Sequence, residues 1–163
     1  MHDEASEFVR RYGSLESLSV IEIGSRNING SAREHFPHAS WIGLDIRPGE
    51  GVDIVTDAEF YEPEATVDLV ICCEVFEHTD RWRQMIGAAS RWLNPGGRLL
   101  VTCAGPGRHE HSAEDGEHRL RPGEHYANIS QQEMGAAFES AGFVNVHVSG
   151  SDVDTYCIGQ TNG

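Results

Sequence analysis

A carboxylate, a loop framed by glycines and a group of histidines are the residues of this sequence whose types and spacing could do chemistry. Residues 20 to 30, Val20-Ile21-Glu22-Ile23-Gly24-Ser25-Arg26-Asn27-Ile28-Asn29-Gly30, pass abruptly from an apolar, strand-like segment into small and polar residues. Glycine has no Cβ to block positive φ or close contact, so Gly24 and Gly30 permit a tight turn where a ligand can reach the backbone. The stretch Trp41-Ile42-Gly43-Leu44-Asp45-Ile46 follows as a second short apolar strand that ends in a carboxylate. In an open α/β sheet, ligands bind at the carboxyl edge of the strands, and a carboxylate about twenty residues after the first turn can accept both hydroxyls of a ribose.

That spacing suits a nicotinamide dinucleotide as well as other nucleosides, and the loop separates them. The dinucleotide pattern G-x-G-x-x-G uses its second glycine to let a pyrophosphate approach a helix N-terminus. Here Arg26 stands two residues after Gly24, and its long side chain would occupy that path. The expected cofactor is a nucleoside without a phosphate.

Five histidines fall where a base could be needed: His78 just after a long apolar run, and His109, His111, His118 and His125 in a polar segment further on. Imidazole titrates near neutrality and suits proton transfer. His125 with Tyr126 ends that segment, where the pair could swing toward a reacting atom. His78 follows Glu77, and structural hydrogen bonding is the competing role for it. His109-x-His111 with Glu110 or Glu114 could ligate a divalent metal, but the spacing matches no compact metal signature. A solvated acidic loop is the expectation, with no metal site.

Several stretches taken together resemble the successive motifs of class I methyltransferases that use S-adenosylmethionine, in their compact, small-molecule form. They are Glu22-Ile23-Gly24 through Gly30, Asp45, the pair Asp57-Ala58, the run from Val67-Asp68-Leu69-Val70-Ile71-Cys72-Cys73-Glu74 to Glu77-His78, and Leu93-Asn94-Pro95-Gly96-Gly97-Arg98-Leu99-Leu100-Val101. The departure is Ser25-Arg26-Asn27, which stands where the family has its second glycine. The resemblance implies a Rossmann-like α/β fold: a seven-stranded, mostly parallel sheet of order 3-2-1-4-5-7-6, its last strand antiparallel, with helices on both faces. It also implies S-adenosylmethionine as cofactor. In that reading Asp45 and Ile46 meet the ribose, Asp57 and Ala58 the adenine, and Glu22, Gly24, Ser25, Arg26, Asn27 and Gly30 the amino acid part. Cys73 and Glu74 face the methionine portion. Methyl transfer from a sulfonium needs in-line placement and, for a hydroxyl or amine, a base; His78, His111, His125 and Tyr126 are the expected catalytic residues. Two other functions compete: a module that binds the donor without turnover, and an NAD-dependent oxidoreductase.

With 163 residues the chain reads as one domain, 1–163, with no room for a separate recognition module. Its formal charge is −14, and all 12 basic residues are arginine. So acidic a surface repels phosphate backbones, which disfavours nucleic acid as a partner. No apolar run is long enough for a membrane helix, and the first residues lack a signal-peptide layout, so the expected location is the cytoplasm. Cys72, Cys73, Cys103 and Cys157 form no C-x-x-C pair and read as reduced, mostly buried thiols. The motifs of amino-methylating DNA enzymes and the Pro-Cys nucleophile of cytosine carbon-5 enzymes are missing. The expected acceptor is therefore a hydroxyl, amine or carboxylate of a small molecule.

The elements that must position these groups follow from periodicity. Phe8, Val9, Tyr12, Leu15 and Leu18 predict an amphipathic helix over 4–18. Strands are expected at 19–23, 40–45, 52–55, 67–72, 98–103, 143–148 and 155–160, with a short helix at 31–36 stopped by Pro37. A helix capped by Thr79 or Asp80 should run to about Leu93 and end at Asn94-Pro95-Gly96-Gly97. Another should begin with a capping box of Ser130 and Glu133. The last two strands lie too close in sequence for a crossover and must pair antiparallel. Residues 104–128, nearly devoid of apolar side chains, leave the sheet's carboxyl edge and are expected to form a lid over the site.

Overall fold

Two alternating sets of apolar side chains on the strands build the fold around a central sheet, seen in a computed structural model that describes residues 2–14 and 16–163. The elements are α1 (Asp3–Arg11), β1 (Ser19–Ile23), β2 (Ser40–Asp45), β3 (Ile54–Val55), β4 (Val67–Cys73), α2 (Trp82–Trp92), β5 (Leu93–Ala104), α3 (Gln131–Ser140), β6 (Val144–Gly150) and β7 (Asp154–Gln160). Short 3-10 turns lie at Ala32–His35, Ala58–Phe60 and Phe76–His78. The sheet order is β3-β2-β1-β4-β5-β7-β6. Strands β1 to β5 are mutually parallel, and β7 runs antiparallel to both β5 and β6. This is the Rossmann-like order expected from the sequence.

Side chains alternate across each strand, so each sheet face has its own core. On one face Ile21, Ile23, Val70, Cys72, Leu99 and Val101 pack with Met85, Ile86, Ala89 and Trp92 of α2 and with Met134 and Phe138 of α3. On the other, Val20, Leu69, Ile71, Leu100 and Ile158 pack with Phe8 and Val9 of α1 and with Phe36. Trp82, Met85, Ile86, Ala89 and Trp92 form the apolar face of α2 and are all buried. Each of the fully buried Ile and Leu side chains contributes about 1.5–3 kcal/mol of transfer free energy, enough to hold the loop-bearing carboxyl edge in place.

Several elements depart from the sequence expectation. Helix α1 stops at Arg11, with Tyr12 as its C-cap. Gly13 then passes so close to His35 that a Cβ there would lie 2.7 Å from its carbonyl oxygen. Leu15 lies outside the described residues, and Leu18 is a half-buried residue leading into β1. Between β1 and β2 there is a 3-10 turn, capped by Ser31, in place of an α-helix, because Pro37 leaves too few residues for a crossover. Strand β3 is only two residues long. Asp53, predicted to lie within it, instead accepts the Gly43 N–H at 2.7 Å.

Neither Thr79 nor Asp80 caps α2. Its N-cap is Arg81, without a side-chain bond, and Thr79 Oγ1 accepts the Arg81 N–H at 3.1 Å. Strand β5 begins at Leu93 rather than Arg98: Leu93 already pairs with Val67, and the register then breaks until Arg98 opposes Leu69. Gly96, at φ +78°, sits within that break. The Ser130–Glu133 capping box forms in both directions, and the β6–β7 hairpin pairs as expected. The four cysteines are free thiols, and no helix among the described residues is long and apolar enough to cross a membrane.

Candidate active site

Strand β1 ends at Gly24 because the chain turns there in a conformation that a side chain resists. Gly24 has φ +73°, and a Cβ on it would meet Val75 Cγ2 at 2.1 Å. Its N–H and that of Ser25 both donate to the Leu44 carbonyl, at 2.8 and 3.0 Å, fixing the turn against the end of β2. Asn27 closes the loop: its Oδ1 accepts the Gly30 N–H at 3.0 Å, and its N–H donates to the Glu50 carbonyl at 2.9 Å. A cavity of about 510 Å³ opens beside this loop, at the carboxyl ends of β1, β2 and β4, within the usual size range for small-molecule sites.

Asp45, at the end of β2, lines this cavity. Its carboxylate is held by two backbone amides, Arg26 N–H at 3.3 Å and Arg47 N–H at 2.9 Å, so its direction is set by the main chain of both loops. Ile46, 68% exposed, lies at the rim. Asp57 and Ala58 form another part of the wall. Asp57 Oδ1 also accepts the Glu59 N–H at 2.9 Å, so the cap considered for it from sequence is formed while the residue still borders the cavity.

Glu22 is 6% exposed beneath the loop, 3.5 Å from Arg33 Nε. Burial pushes its carboxyl up to about 7, although Arg33 opposes the shift. Arg26 runs sideways: its aliphatic stem packs against Gly49, and its Nη2 donates to the Ala113 carbonyl at 3.4 Å. Six of the twelve expected donor-binding residues, Glu22, Gly24, Ser25, Arg26, Gly30 and Asp45, thus line one cavity together, whereas Asn27 does not border it and instead closes the loop.

At the end of β4 the outcome is mixed. Cys73 and Glu74 border the cavity, but the Glu74 carboxylate is engaged elsewhere. It accepts Thr102 Oγ1–H at 2.9 Å and Arg108 Nη1–H at 3.2 Å, and His2 lies 3.4 Å away. Burial raises its pKa, but His2, Arg108 and Thr102 outweigh that and hold it below the usual carboxylate value. Arg108 also binds Asp154. This five-residue network was not legible in sequence, since its members are spread from position 2 to position 154. Glu74 adopts φ +57°, a strained conformation that fits a residue forced to serve two sides of the strand end.

Opposite the glycine loop stand the histidines. The rings of His78, His111 and Tyr126 contact one another edge to face, with centroids 4.9, 5.0 and 5.5 Å apart. His78, His111 and His125 line the cavity. Burial, then the proximity of His111, pushes the His78 imidazole down to about 4, so it is neutral at physiological pH. Burial raises the Tyr126 phenol, whose hydroxyl donates to the His109 carbonyl at 3.1 Å. His111 Nδ1 lies 3.3 Å from the same carbonyl. His109 and His118, considered from sequence, do not border the cavity.

Beyond Ala104, which ends β5, residues 105–128 contain no helix or strand, yet they are tied down. Ala127 N–H donates to the Glu77 carbonyl at 2.8 Å, and Ile129 N–H to Ala104 at 2.9 Å. Glu124 gathers the Ser112 hydroxyl and the Ala113 N–H. Glu114 pairs with Arg47 and Arg121. The segment from His111 to His125 closes the cavity's outer side.

Glu77 was not singled out among the site residues. It is fully buried; one carboxyl oxygen accepts the Ala104 N–H at 3.2 Å, and burial and the Glu74 charge push the group up to about 8. A glutamate within an otherwise apolar turn, Val75-Phe76-Glu77-His78, was the available signal.

A family model described as a methyltransferase domain matches residues 1–148. No curated protein matches the sequence. Among solved structures, Haemonchus contortus phosphoethanolamine N-methyltransferase 2, in complex with phosphomonomethylethanolamine and S-adenosylhomocysteine, superposes with a TM-score of 0.73 at 15% identity, over 98% of this chain and 52% of that one. The chain thus spans about half the length of that enzyme. Burkholderia thailandensis 1,6-didemethyltoxoflavin-N1-methyltransferase, with bound 1,6-didemethyltoxoflavin and S-adenosylhomocysteine, gives 0.69 at 12% identity, over 98% and 77%. The N-methyltransferase NodS of Bradyrhizobium japonicum gives 0.67 at 16%, over 98% and 96%. At these identities the likeness is one of fold.

Proposed function

Because the chain belongs to the methyltransferase-domain family, we propose that it binds S-adenosylmethionine in the cavity at the carboxyl edge and transfers its methyl group to a small molecule. The observation that carries this reading is Asp45: a cavity-lining carboxylate oriented by two backbone amides, with both oxygens retaining lone pairs for the ribose hydroxyls. Asp57 and Ala58 meet the adenine, and the loop from Glu22 to Gly30 receives the amino acid part beside Cys73 and Glu74. Two solved neighbours of the same fold hold S-adenosylhomocysteine and small acceptors, which supports both donor and acceptor class.

The acceptor enters on the histidine side. Neutral His78, together with His111 and His125, offers imidazole nitrogens to a hydroxyl or amine proton as the methyl group transfers, while Tyr126 packs the rings in place. The segment 104–128 acts as the lid. Arg26 and Arg47, on the loops that hold Asp45, reach Ala113 and Glu114 within it. Closing the lid excludes water from the sulfonium and brings His111 to the acceptor.

Asp45→Ala is expected to weaken S-adenosylmethionine binding at least about tenfold, the loss of charge-assisted hydrogen bonds. Titration calorimetry checks it, and unchanged affinity removes the assignment. Arg47→Ala is expected to speed donor dissociation several-fold without changing the melting temperature, because the Arg47–Glu114 pair is partly exposed and such pairs add little to stability. Stopped-flow fluorescence reads the dissociation rate. Incubation with labelled donor and a metabolite pool tests turnover itself: a chain that binds the donor yet labels nothing is a binding module.

A further inference from the structure

We propose that Glu77, His78 and His111 form a divalent transition-metal site whose open positions face the cavity and take a hydroxyl oxygen of the methyl acceptor. One ligand atom from each of the three lies within 4.8 Å of the others. Nitrogen and oxygen ligands sit about 2.0–2.2 Å from zinc and so at most about 4.4 Å apart across it. Small side-chain rotations would complete the set.

Two orphaned atoms point independently to a ligand. Glu77 is fully buried, and its Oε2 has no hydrogen-bond partner among the described residues. The same holds for His78 Nδ1, a buried nitrogen of the adjacent residue. A buried carboxylate oxygen and a buried imidazole nitrogen left without partners are costly, and one cation satisfies both. The third ligand is already oriented. His111 Nδ1 faces the His109 carbonyl at 3.3 Å; a carbonyl can only accept, so Nδ1 carries the proton and Nε2 keeps its lone pair. A backbone carbonyl fixing the tautomer in this way is the usual outer support of a metal-bound histidine.

Two imidazoles and one carboxylate with open positions suit zinc or iron(II). His78 and His111 line the cavity while Glu77 lies behind them, so the open positions look toward the acceptor. The inference rests on the cavity being a methyltransferase site and narrows the acceptor to a hydroxyl compound. With His78 and His111 engaged as ligands, the base role falls to His125 or water: the acceptor oxygen binds the cation and releases its proton there. An oxygen lone pair then forms the bond to the methyl carbon as the carbon–sulfur bond breaks, the bonding pair staying on sulfur. The sequence alone had led to the opposite expectation, because the ligand set it offered was His109-x-His111 with Glu110 or Glu114, a spacing that matches no compact metal signature.

The test uses the full chain without an affinity tag, stripped with chelator and titrated with zinc(II) by calorimetry and cobalt(II) by visible absorption. One equivalent should bind, with cobalt giving the spectrum of nitrogen and oxygen ligation. His111→Ala, a lid change that leaves the core intact, should weaken zinc binding at least about tenfold. Glu77→Gln should do the same, its fold checked by circular dichroism, whereas His147→Ala on β6 should bind like the wild type. Absence of saturable one-equivalent binding, or wild-type affinity in His111→Ala, overturns the site. Donor titration of the same samples separates the two readings: donor binding without zinc binding removes only the metal site. Zinc binding without donor binding removes the acceptor role assigned to it.

Discussion

Gly24→Ala is expected to lower stability by about 2–4 kcal/mol, combining a left-handed backbone cost of roughly 1–2 kcal/mol with an overpacking cost of similar size, and to abolish measurable donor binding. The two costs have separate sources in the structure. Gly24 holds φ +73°, and its added methyl would overlap Val75 Cγ2 at 2.1 Å. Val75 is β-branched and stiff, and it begins the turn that carries Glu77 and His78, so yielding to the methyl group moves the histidine side of the cavity as well. Gly116 has nearly the same φ, +74°, with no atom within 4 Å of an added Cβ. Gly116→Ala should therefore show the backbone cost alone. Urea denaturation of both variants measures the difference, and equal losses would mean that the Val75 contact has no energetic weight.

Glu22→Gln is expected to stabilise the chain at pH 8 by about 2–3 kcal/mol and to leave it nearly unchanged at pH 4. Burial raises the folded-state carboxyl from its ordinary 4.5 to about 7, with Arg33 opposing. Below pH 4.5 the group is protonated in both states and its contribution is fully present. Between 4.5 and 7 the unfolded chain gives up the proton first, so stability falls as pH rises. Above 7 the deficit is constant. Glutamine cannot ionise and lacks this slope, while Arg33 keeps its contact with Asp53 at 3.1 Å. Denaturation midpoints at several pH values check the prediction, and parallel curves for the two proteins would refute it. In the proposed function Glu22 opens the loop that receives the donor's amino acid part, so the variant should gain stability while losing donor affinity, a common exchange at binding sites.

The sheet was legible because its signals are local. Val67 to Cys73 is apolar on both faces except at Asp68, β2 ends in its carboxylate, and the resemblance supplied the strand order. The capping box at Ser130 needed only two residues three apart. The helix boundaries were less legible: a 3-10 turn and a short α-helix share similar apolar spacing, and only Pro37 and the contact of Gly13 with His35 decide between them. The glycine loop and Asp45 could be read as one wall because the fold joins consecutive strands there. The opposite wall could not. Glu77 meets His111 across a stretch of chain that contains all of α2 and β5, and Arg108 gathers partners from both ends of the chain. Neither spacing nor periodicity encodes such meetings.

The way residues 104–128 are fastened sets how far they can move. Their root is clamped on both sides: Gly105 and Gly107 donate to Val153 and Asp152, Arg108 joins Glu74 and Asp154, and Ala127 and Ile129 hold the return. Farther out, the links to the body are Arg26 with Ala113 and Arg47 with Glu114, contacts made at partly exposed side chains. In the proposed function, motion is thereby confined to a visor between two fixed pivots. Because its Arg47–Glu114 catch is a wetted ion pair, ionic strength is expected to act as the dial on how often that visor stands ajar.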